Sequence, residues 1–114
     1  MRRYLYLVEA KRNKERKGLE KIRKNLIDDI KQSLSKLSKI VVFKDAYICG
    51  SITNAKMFSA SSDIDIAFYG LKEKDFFKTM AFLSRYLERN VDIIQLEGHR
   101  FEEKIRNEGI KWKE

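Results

Sequence analysis

Hydrophobic residues recur at intervals of three or four along the first third of the chain. Between residues 19 and 38 they form one stripe, made of Leu19, Ile22, Leu26, Ile30, Leu34 and Leu37. This spacing is typical of an amphipathic helix whose apolar side faces a core. A second stripe predicts another helix over residues 72–89 and consists of Phe76, Met80, Leu83 and Leu87. Residues 4–17 are either a separate helix or a continuation of the first, because Gly18 leaves both arrangements open.

Shorter apolar runs between and after these helices predict β-strands. In chain order they are residues 40–43 (a strand or the approach to one), 46–49, 63–69, 91–96 and 110–112, with a short helix over about 100–107. In the run 63–69, Ile64, Ile66 and Phe68 alternate with Asp63, Asp65 and Ala67, so the two sets face opposite sides of a sheet. The order of elements predicts an α/β or α+β fold with a small mixed sheet of three to four strands and helices mainly on one face.

Charge separates the N-terminal segment from the rest of the chain. The net charge is +8, and residues 1–24 supply +7 of it through ten Lys or Arg and three Glu. We therefore predict a basic helical extension at residues 1–18, followed by one domain at residues 19–114. Such an extension could meet RNA, DNA or an acidic protein surface. A solvated helix face is the simpler interpretation, and the sequence does not separate the two.

Composition restricts the class of protein. Apolar residues make up 43% and charged residues 37% of the 114-residue chain, as expected for a globular domain with a charged surface. Cys49 stands alone, so no intrachain disulfide can form and a reducing compartment is indicated. No apolar run approaches the roughly 20 residues that a membrane span needs. We expect a cytoplasmic protein with no membrane partner.

Candidate chemistry concentrates on carboxylates beside a glycine-containing loop. Asp63 and Asp65 project from the same face of one predicted strand, and paired carboxylates of this kind suit Mg²⁺. Gly50 and Ser51 end the preceding strand, where a glycine lets backbone N–H groups approach a phosphate. Asp92 begins the next strand and could act as a third ligand or as a general base. The simpler alternative is a chance pair of surface aspartates followed by an ordinary turn.

These segments also carry a family resemblance. Cys49-Gly50-Ser51, Ser62-Asp63-Ile64-Asp65 and Val91-Asp92-Ile93 resemble the polymerase-β-like nucleotidyltransferases, and specifically the minimal nucleotidyltransferases (MNT). The resemblance implies a nucleotidyltransferase-like fold, with Gly50 and Ser51 holding ATP. It also implies that Asp63, Asp65 and Asp92 bind two Mg²⁺ ions and form the catalytic site. In that group the partner is often a HEPN-domain toxin, which the MNT protein neutralises as an antitoxin by transferring AMP to a tyrosine.

The loop after Ser51 departs from the family pattern. The family usually has a second glycine four residues after the serine, and Ala55 stands there in this chain. Alanine does not readily adopt a positive φ, so we expect a reshaped phosphate loop in which Lys56 supplies a direct charge to phosphate.

Three functions are consistent with the sequence. The first is an active, Mg²⁺-dependent nucleotidyltransferase that moves AMP from ATP to a hydroxyl of a partner protein. The second is a binding module of the same fold that has lost catalysis and neutralises its partner by contact. The third is a small nucleic-acid-binding domain that uses the basic N-terminus. A homo-oligomer is compatible with all three.

Overall fold

A mixed β-sheet and the helices packed on it form the body of the protein. The computed structural model describes the backbone of residues 2–113 and the side chains of residues 16–113. In chain order the elements are α1 (Arg2–Leu37), β1 (Asp45–Cys49), β2 (Ile64–Tyr69), α2 (Phe76–Leu87), β3 (Val91–Gln95), α3 (Glu102–Glu108) and β4 (Ile110–Lys111). Two short 3₁₀ turns, Gly50–Thr53 and Glu73–Asp75, follow β1 and precede α2.

The strands lie in the order β3-β2-β1-β4. β1 is antiparallel to both β2 and β4, whereas β2 and β3 are parallel because helix α2 returns the chain to the same end of the sheet. In this register Asp65 lies opposite Cys49 on one side and opposite Asp92 on the other. The C-terminal end of β1 and the N-terminal ends of β2 and β3 therefore meet at one edge, and the predicted fold class is confirmed.

The hydrophobic core lies on the face of the sheet that α1 and α2 cover. The stripe predicted on α1 supplies fully buried side chains at Ile30, Leu34 and Leu37. They pack against the apolar side of β2, where Ile64, Ile66 and Phe68 all point into this cluster. Helices α1 and α2 thus cover the apolar side of β2, as the sequence pattern predicts.

The opposite face carries a smaller cluster. Tyr47, Cys49, Ala67 and Leu96 are buried there, and Ile105 of α3 packs against them. Because α3 has only seven residues, it covers part of this face and leaves an opening at the edge where Asp65 lies.

Helix α1 runs without interruption through Gly18. The two arrangements left open by the sequence are thereby resolved in favour of one 36-residue helix. The division at residue 18 does not coincide with a break in the helix, and the separate character of residues 1–18 stays a prediction. Within the described residues, no helix has both the length and the apolarity that crossing a membrane requires.

Residues 40–43 form the approach to β1, which is one of the two possibilities that the sequence leaves open. The backbone N–H groups of Ile40 and Val41 both donate to the carbonyl oxygen of Leu37, so the chain turns back at the end of α1. Val41 is buried and Phe43 packs edge-on against Phe68 at 5.1 Å between ring centroids. Burial without strand pairing explains the strand-like composition of this segment.

Candidate functional site

Three aspartates lie at one edge of the sheet, and the structure places two of them, Asp65 and Asp92, side by side. Asp65 and Asp92 are register partners on the parallel strands β2 and β3, and Asp63 lies just before β2. Asp65 is partly buried, whereas Asp63 and Asp92 are exposed. The order of the strands thus makes Asp92 a neighbour of Asp65, as predicted.

The environment of Asp65 disfavours its charged form. Burial raises the pKa of this carboxyl, and the negative charges of Asp92 and Asp63 raise it further. A hydrogen bond between the Asp65 and Asp92 side chains acts in the same direction. Carboxylates that oppose one another's ionisation in this way are stabilised by a shared proton or by a cation.

Gly50 is in direct contact with this carboxylate. Its φ is +83°, a left-handed conformation that L side chains rarely adopt, and an added Cβ would overlap Oδ2 of Asp65. Ser51 follows in the 3₁₀ turn Gly50–Thr53. Glycine is therefore required at position 50 both by the backbone angle and by the space that Asp65 occupies.

The turn that contains Ser51 is fastened to helix α1. Arg23 donates from Nη1 to the carbonyl oxygen of Ile52 at 2.9 Å. The same guanidinium forms two hydrogen bonds with Glu20, at 2.9 and 2.7 Å. The sequence pattern does not predict this link between α1 and the loop.

An open cleft of about 470 Å³ begins at this edge and extends beneath α3. One wall is built by the end of β1 and the following loop, with Asp65 at the edge of the sheet. The other wall comes from the segment after β3 and from α3. The lining residues are Cys49, Gly50, Ser51, Thr53, Asn54, Met57, Asp65, Ile94, His99, Phe101, Lys104, Ile105, Glu108 and Gly109.

The residue pattern does not indicate that the second wall belongs to the site. No motif of the sequence includes His99, Phe101 or Lys104. Gly109 is the residue in the sequence that could have indicated this wall. An added Cβ there would meet the carbonyl oxygens of Ile105 and Ile48. A glycine at this point lets the end of α3 lie close against β1 and so brings the helix over the open face.

Lys56 does not line this cleft. It is exposed and lies with Ala55 on a different cavity, which also borders α1. The structure thus brings together Gly50, Ser51 and Asp65 and leaves Lys56 outside the cleft. A phosphate contact of Lys56 stays a prediction.

Cys49 has the properties of a buried apolar side chain. Burial raises the pKa of its thiol to about 12, and the charge of Asp65 adds to this increase. Its Sγ donates to the backbone oxygen of Asp65 at 3.5 Å. A thiol with this pKa is protonated near neutral pH and is not a nucleophile.

The carboxylates fit a divalent cation that takes its other ligands from phosphate and water. Mg²⁺ commonly binds to proteins through one or two carboxylates together with substrate phosphates. Asp65 and Asp92 supply such a pair, since they are register partners on neighbouring strands. Among the described residues, no three His, Cys, Asp or Glu side chains are already arranged as a metal site. Asp63 would have to join the pair when a cation binds.

Comparisons with known proteins agree with this geometry. The family described as polymerase beta, nucleotidyltransferase, matches residues 28–112, which include all three aspartates and the Gly50-Ser51 turn. A solved structure described as "Crystal structure of the toxin-antitoxin with AMP-PNP" is similar in fold, with a TM-score of 0.60 and 20% sequence identity. The similarity covers 72% of this chain and 71% of that one. A search of the curated proteins found no match.

The family match spans most of the chain and includes each strand of the sheet. It begins within α1, so the first 27 residues of the chain lie outside it. The resemblance seen in the short segments around Gly50, Asp63 and Asp92 is thereby confirmed. The chain belongs to the polymerase-β-type nucleotidyltransferase family.

Proposed function

We propose that this protein is a Mg²⁺-dependent nucleotidyltransferase that transfers AMP from ATP to a hydroxyl group of a partner protein. The observation that carries the proposal is the contact between Gly50 and the Asp65 carboxylate at the edge of the cleft. It puts a turn suited to phosphate next to carboxylates suited to Mg²⁺. An ordinary strand end has no need of either feature.

In this proposal the triphosphate lies along Gly50 and Ser51, and Asp63, Asp65 and Asp92 hold the metal. When bound, Mg²⁺ would neutralise the phosphate charge and lower the pKa of the attacking hydroxyl. The acceptor oxygen forms a bond to the α-phosphorus. The bond from that phosphorus to the oxygen that bridges the α- and β-phosphates breaks, and pyrophosphate leaves with the electron pair. Asp92 serves as a metal ligand or accepts the proton of the hydroxyl. The nucleoside would extend towards Phe101 and His99.

In this proposal the acceptor lies on another molecule, and the described residues supply one sheet with its helices to hold the nucleotide. We propose a HEPN-domain toxin as this partner and the cytoplasm as the compartment, with the present protein acting as its antitoxin. The resemblance to minimal nucleotidyltransferases supports this partner. So does the fold similarity to a protein of a toxin–antitoxin structure, although that similarity alone carries only the fold.

The first test is Mg²⁺-dependent ATP binding, measured by calorimetry for the wild type and for the double variant Asp63→Asn/Asp65→Asn. Binding should disappear in the variant because the metal loses two of its three carboxylates. The matched control is Asp28→Asn/Asp29→Asn, which removes the same charge from exposed positions on α1. The control should bind Mg-ATP with the wild-type affinity.

Transfer itself is tested with ATP labelled at the α-phosphate and a co-expressed HEPN partner. Label should appear on the partner with the wild type and the α1 control but not with the Asp63/Asp65 variant. Normal Mg-ATP binding by that variant would refute the assignment of the site.

A second function is favoured by one observation. Asp63 is exposed, and the three carboxylates are not preassembled as a metal site within the described residues. A binding module that has lost catalysis would have this property and would neutralise its partner by contact alone. Full neutralisation by the Asp63→Asn/Asp65→Asn variant, together with absent Mg-ATP binding by the wild type, would select this alternative.

A further inference from the structure

A second groove lies on the other side of the loop that contains Gly50 and Ser51. It has a volume of about 690 Å³ and is formed between α1 and residues 55–58. Its lining residues are Arg16, Leu19, Glu20, Ala55, Lys56 and Phe58. Residues 53, 54 and 57 of the same loop line the cleft beneath α3, which is the nucleotide cleft of the proposed function. The loop is therefore a wall shared by the two cavities.

The surroundings of this groove are strongly basic. Arg16 and Lys56 line it directly. Lys17, Lys21 and Lys24 follow one another along α1 and border a smaller adjoining cavity. Among the side chains of residues 16–113, no carboxylate lies within ion-pair distance of any of these five cations. These five cations can therefore attract a ligand that carries several negative charges.

Glu20, the carboxylate among these lining residues, already forms an ion pair. Glu20 accepts two hydrogen bonds from Arg23, whose remaining nitrogen holds the backbone oxygen of Ile52. This arrangement neutralises Glu20 and fixes the distance between α1 and the loop. The groove is consequently present before any ligand binds, which reduces the entropy lost on binding.

The floor of the groove is apolar. Leu19 is partly buried there and Phe58 is only 4% exposed. Apolar anchors inside a charged rim are typical of protein–protein contacts. Single-stranded nucleic acid usually stacks its bases on accessible aromatic rings, and the buried Phe58 ring is not one. These features favour an acidic polypeptide over a nucleic acid.

We infer that this basic groove is the docking site for an acidic segment of the partner protein. The segment would place Asp or Glu side chains against Arg16 and Lys56 and an apolar side chain over Leu19. We place this segment next to the acceptor hydroxyl in the partner's sequence, and this step rests on the proposed function. Docking on one side of the shared loop would then bring the acceptor towards the triphosphate held on the other side.

The test uses a short fluorescein-labelled peptide of Glu and Leu with one Tyr, and fluorescence anisotropy at physiological salt. We compare the wild type with Arg16→Glu/Lys56→Glu. The control is Lys72→Glu/Arg85→Glu, which makes the same change in net charge at exposed positions outside the groove. The groove variant should bind the peptide about tenfold more weakly or worse, and the control should change affinity about twofold or less. Circular dichroism and thermal unfolding establish that both variants fold.

Three results would overturn the inference. One is the absence of peptide binding by the wild type. Another is an equal loss in the groove and control variants, which would mean attraction by net charge alone. The third is tighter binding of a single-stranded oligo(U) RNA of matched charge, lost in the groove variant, which would make the groove a nucleic-acid site.

The assay contains neither nucleotide nor Mg²⁺, so its outcome is independent of the nucleotide cleft. Peptide binding that depends on the groove would stand even if the wild type fails to bind Mg-ATP. In that case nucleotidyl transfer would be rejected and docking retained. Mg-ATP binding without peptide binding would reject docking and retain the nucleotide site.

Discussion

The face of the sheet beneath α1 and α2 is closed and apolar, whereas the face beneath α3 is open and carries the carboxylates. The first contains fully buried aliphatic side chains such as Ile30, Leu34 and Ile66. The second contains a small cluster around Cys49 and Ala67, next to a cleft of about 470 Å³. The stability of the fold is therefore expected to come mainly from one face and its chemistry from the other.

This separation explains how a small domain accommodates like charges at its sheet edge. Asp65 and Asp92 are neighbours whose charges oppose each other, and burial further disfavours the charged form of Asp65. Both effects cost stability in the absence of a ligand. The apolar face offsets that cost without containing any residue of the site.

Truncation of the closed face should have the largest effect on stability. Leu34→Ala removes a fully buried side chain and should lower the free energy of unfolding by about 2–5 kcal/mol. The matched change on the open face is Ile94→Ala, at a partly buried position in the cleft, with an expected loss of about 1 kcal/mol. Urea unfolding measures both. Equal losses would mean that the two faces contribute alike.

Substitution of Gly50 should have the next largest effect. Gly50→Ala forces a side chain into a left-handed conformation and against Asp65, so a loss of about 1–3 kcal/mol and weaker Mg-ATP binding are expected. Gly18→Ala is the matched control. It lies in α1 with open space around its Cα and should raise stability by about 1 kcal/mol. Thermal unfolding and calorimetry test the pair, and a Gly50→Ala protein with unchanged stability and affinity would contradict the contact.

Removal of one charge from the carboxylate pair should have the smallest effect and the opposite sign. In EDTA, Asp65→Asn should raise the free energy of unfolding at pH 7 by up to about 1 kcal/mol, because burial and Asp92 disfavour the charged form. The folded-state pKa of Asp65 lies above its ordinary value of 3.8. The wild type therefore recovers this stability as the pH falls through the raised pKa, and the advantage of the variant should vanish below about 3.8.

Urea titrations of the wild type and Asp65→Asn at pH 7 and pH 3.5 measure this difference. A variant that is less stable at pH 7, or an advantage that grows on acidification, would show that Asp65 stabilises the metal-free fold. Either result would weaken the division of roles between the two faces.

Most of the fold followed from periodicity. The α1 stripe, the alternation in β2 and the four elements after β2 have the positions that the sequence predicts, within a few residues. Composition left residues 40–43 open between a strand and the approach to one. Val41 and Phe43 are buried by tertiary packing, and composition does not distinguish such burial from strand pairing. The unbroken path of α1 through Gly18 likewise depends on the rest of the helix outweighing one unfavourable residue.

The candidate site was predictable only where its residues lie on strands. The meeting of Asp65 and Asp92 follows from strand order, since neighbouring parallel strands begin at the same edge. The second wall of the cleft, with His99 and Phe101, depends on how α3 folds back over the sheet. The Arg23–Ile52 hydrogen bond spans 29 positions and joins a side chain to a backbone oxygen. No residue pattern encodes such a contact.

The position of Trp112 bears on how the chain folds during synthesis. Its indole Nε1 donates to Oγ of Ser35 at 3.2 Å, its backbone N–H donates to the carbonyl oxygen of Ala46, and its ring packs on Phe43. A ribosome supplies this residue only after residues 1–111 have been made. Until then β1 presents a free edge and the C-terminal half of α1 lacks part of its cover. A nascent chain would thus need β4 and Trp112 before this part of the sheet resists proteases or strand-to-strand aggregation.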